Sequence, residues 1–221
     1  MSTMQSTEGL SAMEKFSVLY EEKKKSINTA LAVIVLAVGG FFAYKYLVAG
    51  PKEEKAALKM MRAEQYYAMD SLNLALNGDA ANPGFLRIIK QFDGSANANL
   101  AHYYAASCYM KMGDSKSALK HLQDFDAHGT IFEHPKAGLL GDIYMESNDT
   151  KKAIDQYKTA TADADDDVFT PMYLQRLAIA YEKSNQTDEA IKAYKRIRDE
   201  YPRSPSGRDV EKALAQLGVL D

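Results

Sequence analysis

The densest set of metal-ligand side chains in this sequence is Asp163-Ala164-Asp165-Asp166-Asp167. Alternating carboxylates open a helix–loop–helix calcium site, but that site also needs Gly at loop position 6 and a bidentate Glu at position 12. Counted from Asp163, those positions hold Val168 and Leu174. The segment therefore reads as a solvated acidic loop, with Thr170-Pro171 capping the helix that follows. The histidines, His102, His121, His128 and His134, form no His-Glu-x-x-His pair and stand at no metal spacing from cysteine. His102 and His121 read as structural or surface residues of packed helices. Cys108 is the single cysteine and has no internal disulfide partner. It lies on an apolar helix face beside Tyr109, a core position rather than a nucleophile's. No Gly-x-Ser-x-Gly elbow and no glycine-rich phosphate loop occurs. The sequence offers no residues to an enzyme and calls for no cofactor and no metal. With 27 basic and 30 acidic residues among 221, it also lacks the basic excess that nucleic acid demands.

What remains is a set of elements that position surfaces. Residues 27–44, INTALAVIVLAVGGFFAY, carry no charge. As a helix they cover about 27 Å, close to the hydrocarbon thickness of a bilayer. Residues 45–48 lengthen the run, with Lys45 snorkelling and Tyr44 and Tyr46 at interfacial depth. A cleavable signal peptide would have a shorter apolar stretch and a shorter, basic leader. Here 26 residues precede the run, with Glu8, Glu14, Glu21 and Glu22 among them. A single-span anchor is expected at 27–48. Lysines flank it on both sides in near balance, but Lys23-Lys24-Lys25 abuts it directly, which favours a cytoplasmic leader over residues 1–26. The remainder, with 22 basic and 26 acidic residues beyond Lys45, is then exported. Gly39, Gly40 and Ala43 form a small-residue face where another helix could approach closely. Phe16, Leu19 and Tyr20 have helical spacing and extend the anchor as an interfacial helix.

Beyond the anchor the chain repeats itself over residues 100–125, 135–160 and 172–197. A Tyr ends the first helix of each window (Tyr109, Tyr144, Tyr181), with a small residue three positions earlier (Ala106, Gly141, Ala178). A polar turn follows, and nine residues after each Tyr comes Ala118, Ala153 or Ala190. Leu122, Tyr157 or Tyr194 stands four residues further on. Small residues let paired helices approach, and large ones fill the space between them. Neither helix buries its apolar stripe alone, so the pairs must stack.

These positions resemble the tetratricopeptide repeat, most closely in Leu140-Gly141-Asp142-Ile143-Tyr144, Leu177-Ala178-Ile179-Ala180-Tyr181, Ala190-Ile191-Lys192-Ala193-Tyr194 and Tyr201-Pro202. The first window departs in placing Ala105-Ala106 where the family has Leu-Gly. The resemblance implies an all-α solenoid: a linker helix and degenerate first repeat over 49–96, three repeats over 97–204, and a capping helix over 205–221. Within the linker, one long helix is expected over 53–76 and a second from Pro83. The resemblance also implies a concave face lined by the first helix of each pair. Its contact positions would be Tyr103, Ser107 and Met110, then Gly138, Asp142 and Met145, then Gln175, Ile179 and Glu182.

Leader, span and exported repeats together resemble the inner-membrane-anchored ancillary subunits of the Sec translocon. The leader's Glu14-Lys15-Phe16 and the Gly39-Gly40-Phe41 of the span are similar. That resemblance implies a chaperone-like role in the bacterial inner membrane, with the repeats in the periplasm. Its implied partners are Sec subunits, a membrane-anchored periplasmic peptidyl-prolyl isomerase and unfolded exported polypeptides. An adaptor for another envelope machine, in secretion or division, is the alternative.

Overall fold

The computed structural model describes residues 12–162 and 166–219. Asp163, Ala164 and Asp165 of the acidic loop, and the side chains of Phe16 and Leu19, lie outside the described residues. Every named element is helical and no strand occurs among the described residues, as the all-α expectation requires. The chain divides after Lys52 into two compact units.

The first unit comprises α1 (Ala12–Tyr44) and a π-helical turn (Lys45–Ala49). Every side chain over 28–48 is exposed, Leu36 to 74% and Leu47 to 75%. A helix apolar on all sides needs an apolar cover. Among the described residues, the helical run Lys23–Ala68 alone is long and apolar enough to cross a membrane. The π turn has a local cause. Pro51 has no N–H to donate four residues back, and its ring crowds that carbonyl. The ladder widens just before it, with the Gly50 N–H donating to the Lys45 carbonyl.

The second unit starts inside α2 (Gly50–Ala68). Its first turn is tied to α5 (Ala96–Lys111): the Glu53 carboxylate accepts from the backbone N–H of Ala96 at 2.7 Å and of Asn97 at 2.9 Å. Further along, the Tyr67 and Ser107 hydroxyls lie 2.6 Å apart, and Lys111 pairs with Asp70 at 2.9 Å. The two helices therefore run parallel, as first helices of successive repeats do. The helix expected over 53–76 is broken. It stops at Ala68, Asp70 turns at φ 55°, and α3 (Leu72–Asn77) follows. Nor does a helix begin at Pro83. An isolated bridge between Gly78 and Pro83 closes a short bent loop there, and α4 starts two residues later (Phe85–Gln91). Asp79 pins the loop by accepting from the N–H groups of Ala81 and Asn82.

Three hairpins follow: α5 with α6 (Ser115–Asp124), α7 (Glu133–Glu146) with α8 (Thr150–Ala160), and α9 (Phe169–Lys183) with α10 (Thr187–Glu200). Each turns through a residue of positive φ: Gly113 at 79°, Asn148 at 57°, Asn185 at 58°. Asp114 and Asp149 then cap the second helix of their hairpins, accepting from Ser117 N–H and Lys152 N–H. Gly141 shows why the small position matters: a Cβ there would sit 2.4 Å from the Tyr157 ring. Ala106, Ala118, Ala178 and Ala190 are likewise fully buried. The start of α9 corrects one expectation. Thr170-Pro171 falls in its first turn; the N-cap is Val168, and Asp166 just before it accepts from the N–H groups of Val168 and Phe169. Ser204 caps α11 (Pro205–Gln216), which buries Val210 and Leu214 over the last hairpin.

Candidate functional site

The first helices of the hairpins, with α2 beside them, enclose a groove of about 570 Å³ in the second unit. Its lining is mostly sulfur and aromatic ring. Met110, Met145 and Met172 come from α5, α7 and α9, and Tyr67, Tyr103, Phe169 and Tyr173 supply the rings. Thioethers and rings make favourable contacts and adapt to irregular shapes. Tyr103 is the hub of one wall. Its ring lies 5.0 Å from Phe132, 5.5 Å from Phe125 and 6.0 Å from Tyr104. The loop after α6 packs on that wall through Phe132. Burial holds the Tyr103 phenol far above its ordinary range and that of Tyr173 at about 12, so both stay neutral.

The floor is polar and spans three helices. Asp142 accepts from the Tyr157 hydroxyl at 2.7 Å and pairs with Arg176, whose guanidinium lies 5.4 Å from the centre of the Tyr173 ring. Burial raises the Asp142 carboxyl above the ordinary carboxylate range, against the pull of Arg176 and Tyr157. At the rim, Lys111 lies 4.8 Å over the Tyr67 ring, and Glu146 accepts from Ser115. The contacts repeat along the stack. The lysine ending one first helix reaches the turn of the preceding hairpin, Lys111 to Asp70 and Lys183 to Asn148, each at 2.9 Å.

Five of the nine expected contact positions meet in this groove: Tyr103, Ser107, Met110, Asp142 and Met145. The other four stand elsewhere. Gly138 is buried beneath Tyr173, where an added Cβ would come within 2.0 Å of the ring, so it sets a spacing and offers no surface. Gln175 accepts from Ser206 of α11 at 2.9 Å, and Glu182 accepts from the Tyr194 hydroxyl at 2.7 Å. Ile179 is exposed away from the groove lining. The third helix instead contributes Met172, Tyr173 and Arg176, one turn earlier. The sequence signal was Gly138 itself, the gap into which a large residue of the next repeat descends. Gly39, Gly40 and Ala43 lie exposed on α1, and a Cβ on either glycine would meet nothing within 4 Å.

Cys108, His102 and His121 are packed within the helical stack. Cys108 is fully buried and its thiol is pushed up to about 12 by burial, far from a nucleophile's range. His102 and His121 meet Nδ1 to Nδ1 at 3.2 Å between α5 and α6, with Tyr109 stacked on His121. Among the described residues no group of three or more His, Cys, Asp or Glu is arranged to hold a metal ion.

Tetratricopeptide-repeat family profiles match residues 100–126, 138–162 and 173–204. Among solved structures, the chain is similar to TPR-like repeats of a Podospora anserina protein described as a kinesin light chain. The identity is 15% and the TM-score 0.54, over 74% of this chain and 84% of that one. The MamA protein is similar at 20% identity and TM-score 0.49, over 88% and 96%. No curated protein matches the chain at a significant level. The hairpins that build the groove are tetratricopeptide repeats, units that typically serve as non-catalytic scaffolds for protein–protein interaction.

Proposed function

We propose that the protein is a membrane-anchored, non-enzymatic scaffold whose groove holds segments of other polypeptides, newly exported chains among them. In this reading it is an ancillary subunit of the Sec translocon. It works beside a membrane-anchored periplasmic peptidyl-prolyl isomerase, with its N-terminus cytoplasmic and its repeats periplasmic. The observation that carries the reading is the groove, where sulfur and ring surface from successive repeats lines one concavity of about 570 Å³. Its contact residues are Tyr103, Ser107, Met110, Asp142 and Met145, joined by Met172 and Arg176. The apolar helix supports an anchor, and tethering raises the effective concentration of the groove at the membrane, so weak contacts suffice. The Gly39-Gly40-Ala43 face would meet a partner's span. The assignment to Sec rests on the resemblance in the leader and span.

The test is affinity purification of the full chain in mild detergent, coupled to protease treatment of spheroplasts. Co-isolated Sec subunits and external cleavage of the repeats support the reading. Co-isolated secretion or division components would favour the alternative adaptor, and cleavage only after lysis would overturn the orientation.

A further inference from the structure

We infer that the groove selects an internal, uncharged stretch of extended polypeptide carrying a bulky apolar side chain, and rejects free chain ends and charged segments. The inference rests on the peptide-holding reading and names the class of segment held. Its first support is the charge of the lining. The wall presents two cations and two anions, so its formal charge is zero. Three are already engaged: Lys111 with Asp70, Arg176 with Asp142, and Asp142 also with Tyr157. Glu146, bonded to the Ser115 hydroxyl, lies exposed at the rim, where an ion pair gains little. An incoming carboxylate or ammonium seated among the rings would lose water without gaining an uncommitted counter-charge there, which is costly in a partly buried site. An uncharged segment loses nothing of the kind.

The second support is the match between what is left over and what an extended chain offers. The three methionines take apolar side chains of varied shape, because a thioether on an unbranched stem repacks at little cost. Arg176 carries five N–H donors. One nitrogen bonds Asp142 and the other terminal nitrogen approaches Met172 Sδ at 3.9 Å. The remaining donors suit the carbonyl oxygens that every extended residue presents, a contact indifferent to sequence. Side chains thus supply apolar selection, and the guanidinium supplies backbone recognition.

The experiment uses the full chain in nanodiscs, with empty nanodiscs subtracted, and fluorescence anisotropy of labelled nonapeptides. The first peptide is acetylated and amidated, with central Leu-Phe-Leu in a Gly-Ser-Asn frame. The second has Asp-Phe-Asp at the centre, the third Lys-Phe-Lys, and the fourth ends in a free carboxylate directly after Leu-Phe-Leu. The first is expected to bind at least tenfold more tightly than the other three. Met145→Glu, with near-UV circular dichroism unchanged, should weaken it at least fivefold, while Ile179→Glu leaves it unaltered. If a charged or carboxylate-ended peptide binds as tightly as the first, and Met145→Glu still weakens it, the selectivity is wrong while the groove reading stands. If none binds, or Ile179→Glu acts as strongly as Met145→Glu, the groove reading falls too. The peptide comparison needs only the unaltered chain, so a misfolding variant does not blunt it.

Discussion

Replacing Gly138 with Ala should destabilise the repeats, the reverse of what a helix glycine ordinarily does. In an open helix interior, Ala is favoured over Gly by about 0.5–1 kcal/mol. At Gly138 the new methyl would lie 2.0–2.1 Å from two atoms of the Tyr173 ring. That ring has little room to retreat. It is only 4% exposed, its hydroxyl reaches the Pro135 carbonyl at 3.4 Å, and Arg176 lies over its face. Overpacking of this kind costs about 1–3 kcal/mol. Set against the propensity gain, Gly138→Ala should lose about 1–2 kcal/mol. The partner change reverses the sign. In a Tyr173→Leu background the methyl finds space, and Gly138→Ala should become neutral or stabilising by up to about 1 kcal/mol. Urea unfolding of the full chain in detergent, followed by tyrosine fluorescence, reads all four members of the cycle. The absence of tryptophan keeps that signal clean. A stabilised Gly138→Ala in the unaltered background would refute the spacing argument, and with it the account of why α9 enters the groove one turn early.

Arg176→Met removes the partner of a largely buried carboxylate. Side-chain exposures of 37% for Arg176 and 24% for Asp142 allow solvent screening, so the expected loss is about 1–2 kcal/mol rather than that of a sealed pair. Because burial raises the Asp142 carboxyl, the folded state holds its proton where the unfolded state has released it. Stability from this group therefore falls as pH rises through that window, and Arg176→Met widens the window. Urea midpoints at pH 7 and pH 4.5 should show the variant regaining part of its loss on acidification. For the His102–His121 pair the sign is opposite. Burial lowers both imidazoles, with Asp124 and Asp93 opposing it at His102, and Asp124 opposing while Lys120 adds at His121. Their stabilisation is complete above the ordinary histidine range and is lost as pH falls through the lowered values. The double variant His102→Gln, His121→Gln should flatten the decline in Tm between pH 7.5 and pH 5. Ser95→Ala removes the hydroxyl that accepts from Ala98 N–H at 3.0 Å at the start of α5. It should cost about 1 kcal/mol in the urea assay and be restored by Asp.

The repeat was legible because its physics is periodic. Small residues at Ala106, Gly141 and Ala178 and large ones at Leu122, Tyr157 and Tyr194 recur at spacings that only stacked hairpins explain, and the apolar run is a matter of counting. The broken start was less legible. Nothing in residues 53–76 is a strong helix breaker, and the break at Asp70 is held by a tertiary partner, Lys111, from 41 residues away. Two contact triplets of the groove could be carried across by position, Gly138 apart. The third could not, because the depth at which Tyr173 settles depends on the absence of a side chain on a different helix. Arg176 escaped notice for a related reason: its value to the site comes from Asp142, 34 residues earlier on a different helix.

The most direct test is photocrosslinking in living cells from probes placed one at a time along the repeats. At Tyr103, Met145 and Met172 the account predicts a ladder of adducts with polypeptides, suppressed by blocking protein export, and little from Ile179 or Glu182. Equal adducts from all five positions, or none from the groove, would contradict it.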